Sequence, residues 1–134
     1  MVRVTARPID LLGQAKGRTR IGVINSVAAR RDAASTPVLI KILREDPECA
    51  AAAAKALGEI GTSEAAKELV AARGKGPAPV QQAVVDGTLI CAERLVAAGE
   101  RSQAITLLEG LTEASQPEHV RVAAKRALSA VTRK

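Results

Sequence analysis

One helical pattern recurs four times along this chain of 134 residues, and the recurrence restricts the fold more than any other feature. The segment ECAAAAAKALGEI aligns with RTRIGVINSVAAR when Cys49 is paired with Thr19, a shift of 30 residues. Two further copies align when Val80 or Val120 takes the place of Cys49. Apolar residues in the copies recur at spacings of three and four, which is typical of one helix face. The pattern predicts stacked repeats that bury their apolar surface against their neighbours.

Two helices fit within each period, so the chain is predicted to be all-α. Asp46 and Pro47 are typical of a helix start, and Gly61 and Gly99 are typical of helix ends. The predicted helices form four pairs: 7–15 with 18–31, 34–45 with 47–60, 63–73 with 78–98, and 101–114 with 117–132. We expect one domain over residues 1–134, with repeats at about 7–31, 34–60, 63–98 and 101–132.

The composition restricts how these helices pack, because the chain contains no Phe, Tyr or Trp. Its core must be built from Ala, Val, Leu and Ile, whose small side chains let helix backbones approach closely. A chain of this length buries roughly two-thirds of its unfolded surface, which is enough for a sizeable core. The five alanines at 50–54 therefore predict a thin helix with a neighbouring repeat on either side.

The two cysteines, Cys49 and Cys91, lie within apolar helical patterns and have no metal-ligand spacing around them. We interpret them as buried, reduced core residues, which are typical of a cytoplasmic protein. No apolar run approaches the roughly 18 residues of a membrane span. The first ten residues, MVRVTARPID, lack the apolar stretch of a secretory signal. These features predict a cytoplasmic location and no membrane partner.

The segment DPECAAAAAKALGEIGTSEAAKELV, residues 46–70, resembles a HEAT repeat, in particular the short repeats of phycobilisome lyase-like proteins. Residues 117–131 show a fair likeness, and residues 17–44 and 78–91 a weaker one. The resemblance implies a right-handed α-solenoid, an α-α superhelix of about four helix pairs, that binds other macromolecules. It does not carry over lyase activity, because no motif in this chain marks that chemistry.

The sequence departs from the family pattern in two ways. The arginine that the family places in the first turn of the second helix is matched by Arg20 and Arg121, but Ala50 and Gln81 replace it in the middle repeats. These arginines therefore do not form a continuous row along the four repeats. The segment AERLVAAGERSQAITLLEGL also resembles a tetratricopeptide helix pair, which predicts irregular packing between the third and fourth repeats.

No group of residues predicts catalysis, a metal or a cofactor. The single histidine, His119, lies near a predicted helix start, and one histidine without converging partners does not make a metal site. Glu64 and Glu68 share one helix face at a spacing of four, which is typical of a solvated face. The loop GKGPAP lacks the strand and hydroxyl of a phosphate-binding loop. We expect a protein that is not an enzyme.

Charge is unevenly distributed along the chain, and it leaves nucleic acid as an alternative partner. Residues 1–31 hold seven basic groups and one acidic group, whereas residues 45–73 hold three basic and six acidic groups. A basic first repeat can attract phosphates without reading sequence, and the chain has no aromatic side chain to stack on a base. The candidate phosphate contacts are Arg18, Arg20, Arg30 and Arg31.

The preferred interpretation is a non-catalytic interaction or scaffolding module, whose partner is another protein or a neighbouring domain of a larger parent chain. In a HEAT-like stack the second helices resemble an inner lining, so their outward side chains form a ridge on the concave face. The repeat shifts place Asn25, Lys55, Asp86 and Arg126 at one equivalent position. They place Arg20, Ala50, Gln81 and Arg121 at another.

Overall fold

The computed structural model describes Leu12 and residues 16–113 and 116–132. These parts of the chain contain seven α-helices and no strand, which confirms the all-α prediction. A 3₁₀ turn at Ala33–Ser35 precedes the second helix. The helices are α1 (Gly17–Ala29), α2 (Thr36–Glu45), α3 (Ala50–Ile60), α4 (Ser63–Ala72), α5 (Ala78–Ala97), α6 (Arg101–Gly110) and α7 (Glu118–Thr132).

The observed helices follow the predicted pairs, with α2 and α3, α4 and α5, and α6 and α7 joined by short connections. The helix predicted at 7–15 lies outside the described residues, except for Leu12, which is helical and fully buried. The helix predicted from Pro47 begins at Ala50 instead. The reason is a turn at Asp46, whose side chain accepts a hydrogen bond from the Glu48 backbone N–H at 3.2 Å.

The second helices of neighbouring pairs stack on one another, with α1 against α3 and α3 against α5. The α3–α5 interface is the most extensive in the described chain. Backbones meet there, because a Cβ built on Gly58 would lie 2.6 Å from Gly87 Cα and closer still to the Gly87 carbonyl oxygen. A Cβ on Gly87 would lie 2.5 Å from the carbonyl oxygen of Ala54. Glycine and alanine thus permit the thin central helix that the alanine run predicts.

The last pair packs differently from the others. Helix α7 contacts α6 extensively but α5 only slightly, whereas α3 contacts both α1 and α5 closely. A small second apolar cluster, Val85, Leu111, Val120 and Ala124, forms between α5 and the last pair, apart from the main core. The irregular packing predicted between the third and fourth repeats is therefore observed.

Candidate interaction surface

One of the two predicted rows of outward residues lies on the surface. Asn25, Lys55 and Arg126 are exposed, and Asp86 is partly exposed and accepts a hydrogen bond from Gln82 Nε2 at 3.0 Å. Lys55 is the only exposed residue of α3, because the other residues of that helix are buried or half-buried between neighbours. We call Asn25, Lys55, Asp86 and Arg126 the exposed row. Its first three members lie on helices that stack directly on one another.

The second row consists of Arg20, Ala50, Gln81 and Arg121, and most of these side chains are buried or bonded within the chain. Ala50 is only 3% exposed, so it is not available to a partner. Arg20 and Arg121 are half-buried, and Gln81 is exposed but donates from Nε2 to the Gly76 carbonyl at 2.7 Å. Helix geometry explains why the two rows differ in exposure, because positions five residues apart, such as 50 and 55, are separated by about 140° around the helix axis.

Arg20 is held in an ion pair rather than presented to solvent. Its Nη1 lies 2.8 Å from Asp46 Oδ2, and the Arg20 side chain is 15% exposed. Partial burial raises the pKa of Asp46, but hydrogen bonds from Arg20 and Cys49 outweigh burial, so that pKa lies below its ordinary value. The pair joins α1 to the turn that precedes α3, which makes Arg20 a structural residue at this junction.

Two further ion pairs also join neighbouring repeats. Arg44 on α2 donates from Nε and Nη2 to both carboxylate oxygens of Glu68 on α4, at 3.0 and 2.7 Å. The hydrogen bonds from Arg44 to Glu68, and the charge of Glu68, raise the pKa of Arg44. Arg94 on α5 donates to Glu59 on α3 at 2.9 Å. Glu68 is thus a buried structural carboxylate and does not form a solvated pair with Glu64.

The basic residues of the first repeat are only partly available to a phosphate backbone. Arg18, Arg30 and Arg31 are exposed, whereas Arg20 is paired with Asp46. Arg31 lies in the turn after α1 with a left-handed backbone, at φ 51°. The candidate phosphate contacts therefore separate into three solvated arginines and one structural arginine.

The remaining chemically notable side chains do not converge on a reactive centre. Cys49 and Cys91 are buried free thiols, and burial, assisted at Cys49 by Asp46, raises the pKa of each to about 11. His119 is exposed in the first turn of α7. Within residues 16–113 and 116–132, together with Leu12, no three His, Cys, Asp or Glu side chains gather as a metal site. No described helix is long and apolar enough to cross a bilayer.

A recess that the sequence does not predict lies at the junction of the second and third pairs. It has a volume of about 420 Å³ and is bordered by the two loops that connect α2 to α3 and α4 to α5. The available sequence signal was the loop GKGPAP, which is longer than its counterpart at Asp46-Pro47. The length of this loop can be read from the sequence, but the recess also requires residues of α2 and α3, whose position relative to the loop cannot.

Helix pairs that stack on one another through their second helices form an α-solenoid. The comparison with known families matches residues 5–87, more than half of the chain, to HEAT repeats. The chain belongs to the HEAT repeat family. No curated protein and no solved structure matches it. HEAT repeats are generally protein-interaction and scaffold modules and are typically not catalytic.

Proposed function

We propose that this chain is a non-catalytic interaction module that binds another protein across the exposed row. One observation carries the proposal: the equivalent position changes from neutral Asn25 to cationic Lys55 to anionic Asp86 on three helices that pack together. The buried positions of the same helices carry no charge and are mostly Ala, Val, Leu and Ile. Because the charge changes from one repeat to the next, a partner with complementary charges can pair with this row in only one orientation.

The surroundings of Lys55 support this proposal. Ala51 and Ala52 are half-buried on the same open side of α3, and their methyl side chains project only slightly. Lys55 is therefore flanked by alanines on its own helix, so a partner that pairs with this charge can approach the α3 backbone closely. Charged side chains around a small apolar area are typical of a protein interface.

A charge-exchange variant tests the proposal. A photoreactive residue at Asn25 first captures the partner for identification by mass spectrometry. Calorimetry then compares the parent with the double variant Lys55→Glu and Asp86→Lys, which keeps the net charge but reverses its order. We expect at least about tenfold weaker binding, because each charge now faces a like charge.

A matched control exchanges the same charge types on a first helix, with Glu64→Lys and Lys67→Glu on α4, where both side chains are exposed. This control should bind like the parent, and both variants should keep its helical signal. If the Lys55 and Asp86 exchange also binds like the parent, the partner uses another face. If capture yields nucleic acid and the parent binds duplex DNA at physiological salt, the phosphate-binding alternative replaces this proposal.

A further inference from the structure

The recess between the second and third pairs has an apolar interior. Leu43, Ala50 and Val80 are buried at its base, and Ala71 and Pro77 are exposed at its margin. Its volume of about 420 Å³ is within the range of roughly 300–1,000 Å³ found for ligand pockets. The recess is therefore large enough to receive one bulky side chain from another molecule.

The connection between α4 and α5 forms one wall of this recess. Gly74 and Gly76 adopt left-handed backbones, at φ 78° and 82°, which side-chain-bearing residues rarely adopt. Pro77 then precedes the first residue of α5. The corresponding connection between α2 and α3 is the turn at Asp46, whose next residue, Pro47, lines the recess together with Gly76 and Pro77.

The charges around the recess favour an acidic occupant. Glu68 is 7% exposed and uses both carboxylate oxygens to accept hydrogen bonds from Arg44. Lys75 also lines the recess, is exposed, and forms no ion pair with any described residue. Arg44 is itself 64% exposed, although it is paired. Arg44 thus neutralises Glu68, the one anionic group in the lining, and Lys75 has no ion-pair partner among the described residues.

The two other recesses on this edge of the stack differ in chemistry. The one between the first and second pairs is lined by Lys41, Glu45 and Glu48 among others, and the one between the third and fourth pairs includes Arg73 and Glu113. Opposite charges are balanced within each of these linings. Compared with these two recesses, the central recess has a more apolar lining and a net positive margin.

We propose that the central recess binds a short acidic peptide segment of the partner, with one bulky apolar side chain inserted and a neighbouring carboxylate paired with Lys75. This inference rests on the proposed function, because it assumes a protein partner, but it uses a different surface. The apolar interior accounts for the inserted side chain, and the unpaired Lys75 accounts for the acidic flank.

Tryptophan fluorescence of a bound peptide tests the proposal, because the chain has no Trp, Tyr or Phe and all of the fluorescence emission comes from the peptide. The probes are the acetylated and amidated peptides Gly-Asp-Trp-Leu-Asp-Gly and Gly-Lys-Trp-Leu-Lys-Gly. We expect a saturable blue shift with the acidic peptide and a dissociation constant about two- to fivefold lower than for the basic one. Lys75→Glu should reverse that preference. Equal binding of both peptides, or binding of neither, would overturn the proposal.

Two variants locate the binding site. Ala71→Glu places a carboxylate at the margin and should weaken binding of the acidic peptide, whereas Ala130→Glu, at an exposed helical alanine outside the recess, should not.

The double variant Lys55→Glu and Asp86→Lys, which changes the exposed row, should leave the peptide titration unchanged. If that exchange abolishes peptide binding, the peptide lies on the exposed row, which refutes this inference while supporting the proposed function. If decanoate binds and neither peptide does, the recess is a fatty-acid site and the inference is wrong.

Discussion

At the scale of single residues, Cys49 and Cys91 show how burial controls reactivity. Each thiol is fully buried in the core, and its Sγ lies near a backbone carbonyl, that of Gly17 for Cys49 at 3.7 Å and that of Thr62 for Cys91 at 3.9 Å. The thiolate is the nucleophilic form, so a pKa of about 11 leaves little of it at neutral pH. Both cysteines are structural residues.

We expect both thiols to react with a thiol reagent at pH 8 only when the chain unfolds, and no disulfide to join them. The folded pKa values lie above those of the unfolded chain, so protonated thiols favour the folded state. The free energy of unfolding should therefore fall between about pH 9 and pH 11, on the order of 1–2 kcal/mol for each thiol. Chemical denaturation across this range measures the effect. The double variant Cys49→Ala and Cys91→Ala should show a smaller slope, and an equal slope would contradict the assignment.

Residue identity alone did not reveal which arginines are structural. Arg18 and Arg20 are two positions apart and both belong to a basic segment, yet Arg18 is solvated and Arg20 pairs with Asp46. The difference depends on the direction of each side chain relative to the next repeat. The sequence could predict a basic first repeat but not which of its charges are already neutralised.

At the scale of helices, the crossing of α3 and α5 depends on two glycines in contact. The sequence indicated the helix ends because proline, glycine and capping residues act locally, and most boundaries agree closely with the structure. Gly58 instead lies inside α3, just before the helix ends at Ile60. Its actual role, close contact with Gly87, depends on a residue in another repeat, so no local pattern could predict it.

We expect Gly58→Ala to lower the free energy of unfolding by at least about 1–3 kcal/mol, because the added Cβ overlaps Gly87 backbone atoms that cannot change rotamer. Gly22→Ala on α1 is the matched control, since nothing lies within 4 Å of its Cβ position. That variant should raise stability by about 0.5–1 kcal/mol, because alanine is the better helix former. Urea denaturation of both variants measures the difference. Equal effects at the two sites would show that α3 and α5 are farther apart than described.

At the scale of the whole molecule, stability is distributed unequally along the stack. Among the described helices, α3 contacts four others, whereas α7 contacts mainly α6, packs Ala127, Leu128 and Val131 against the main core, and shares a small separate apolar cluster with α5. Local contact density sets the free energy of local opening, so the last pair is the less protected end of the described chain. The recess and the exposed row both include residues of α3 and α5, which are the most closely packed helices of the described chain.

Hydrogen exchange should reveal this gradient. Ala54 on α3 and Ala124 on α7 are matched, because neither has exposed surface. We expect the Ala54 amide to be protected at least about tenfold more than the Ala124 amide, since α7 can separate from α5 at little cost. Exchange measured by NMR in native buffer gives both values. Equal protection would mean that the last pair unfolds only with the rest of the stack.

The contact between Gly58 and Gly87 also has a mechanical consequence. Where backbone meets backbone, no side chain remains that could be compressed, and substitutions elsewhere in the core cannot bring the two helices closer. The crossing therefore acts as a fixed pivot. If the proposed partner binds across the exposed row, we expect the neighbouring repeats to tilt about that point while the separation of α3 and α5 is preserved.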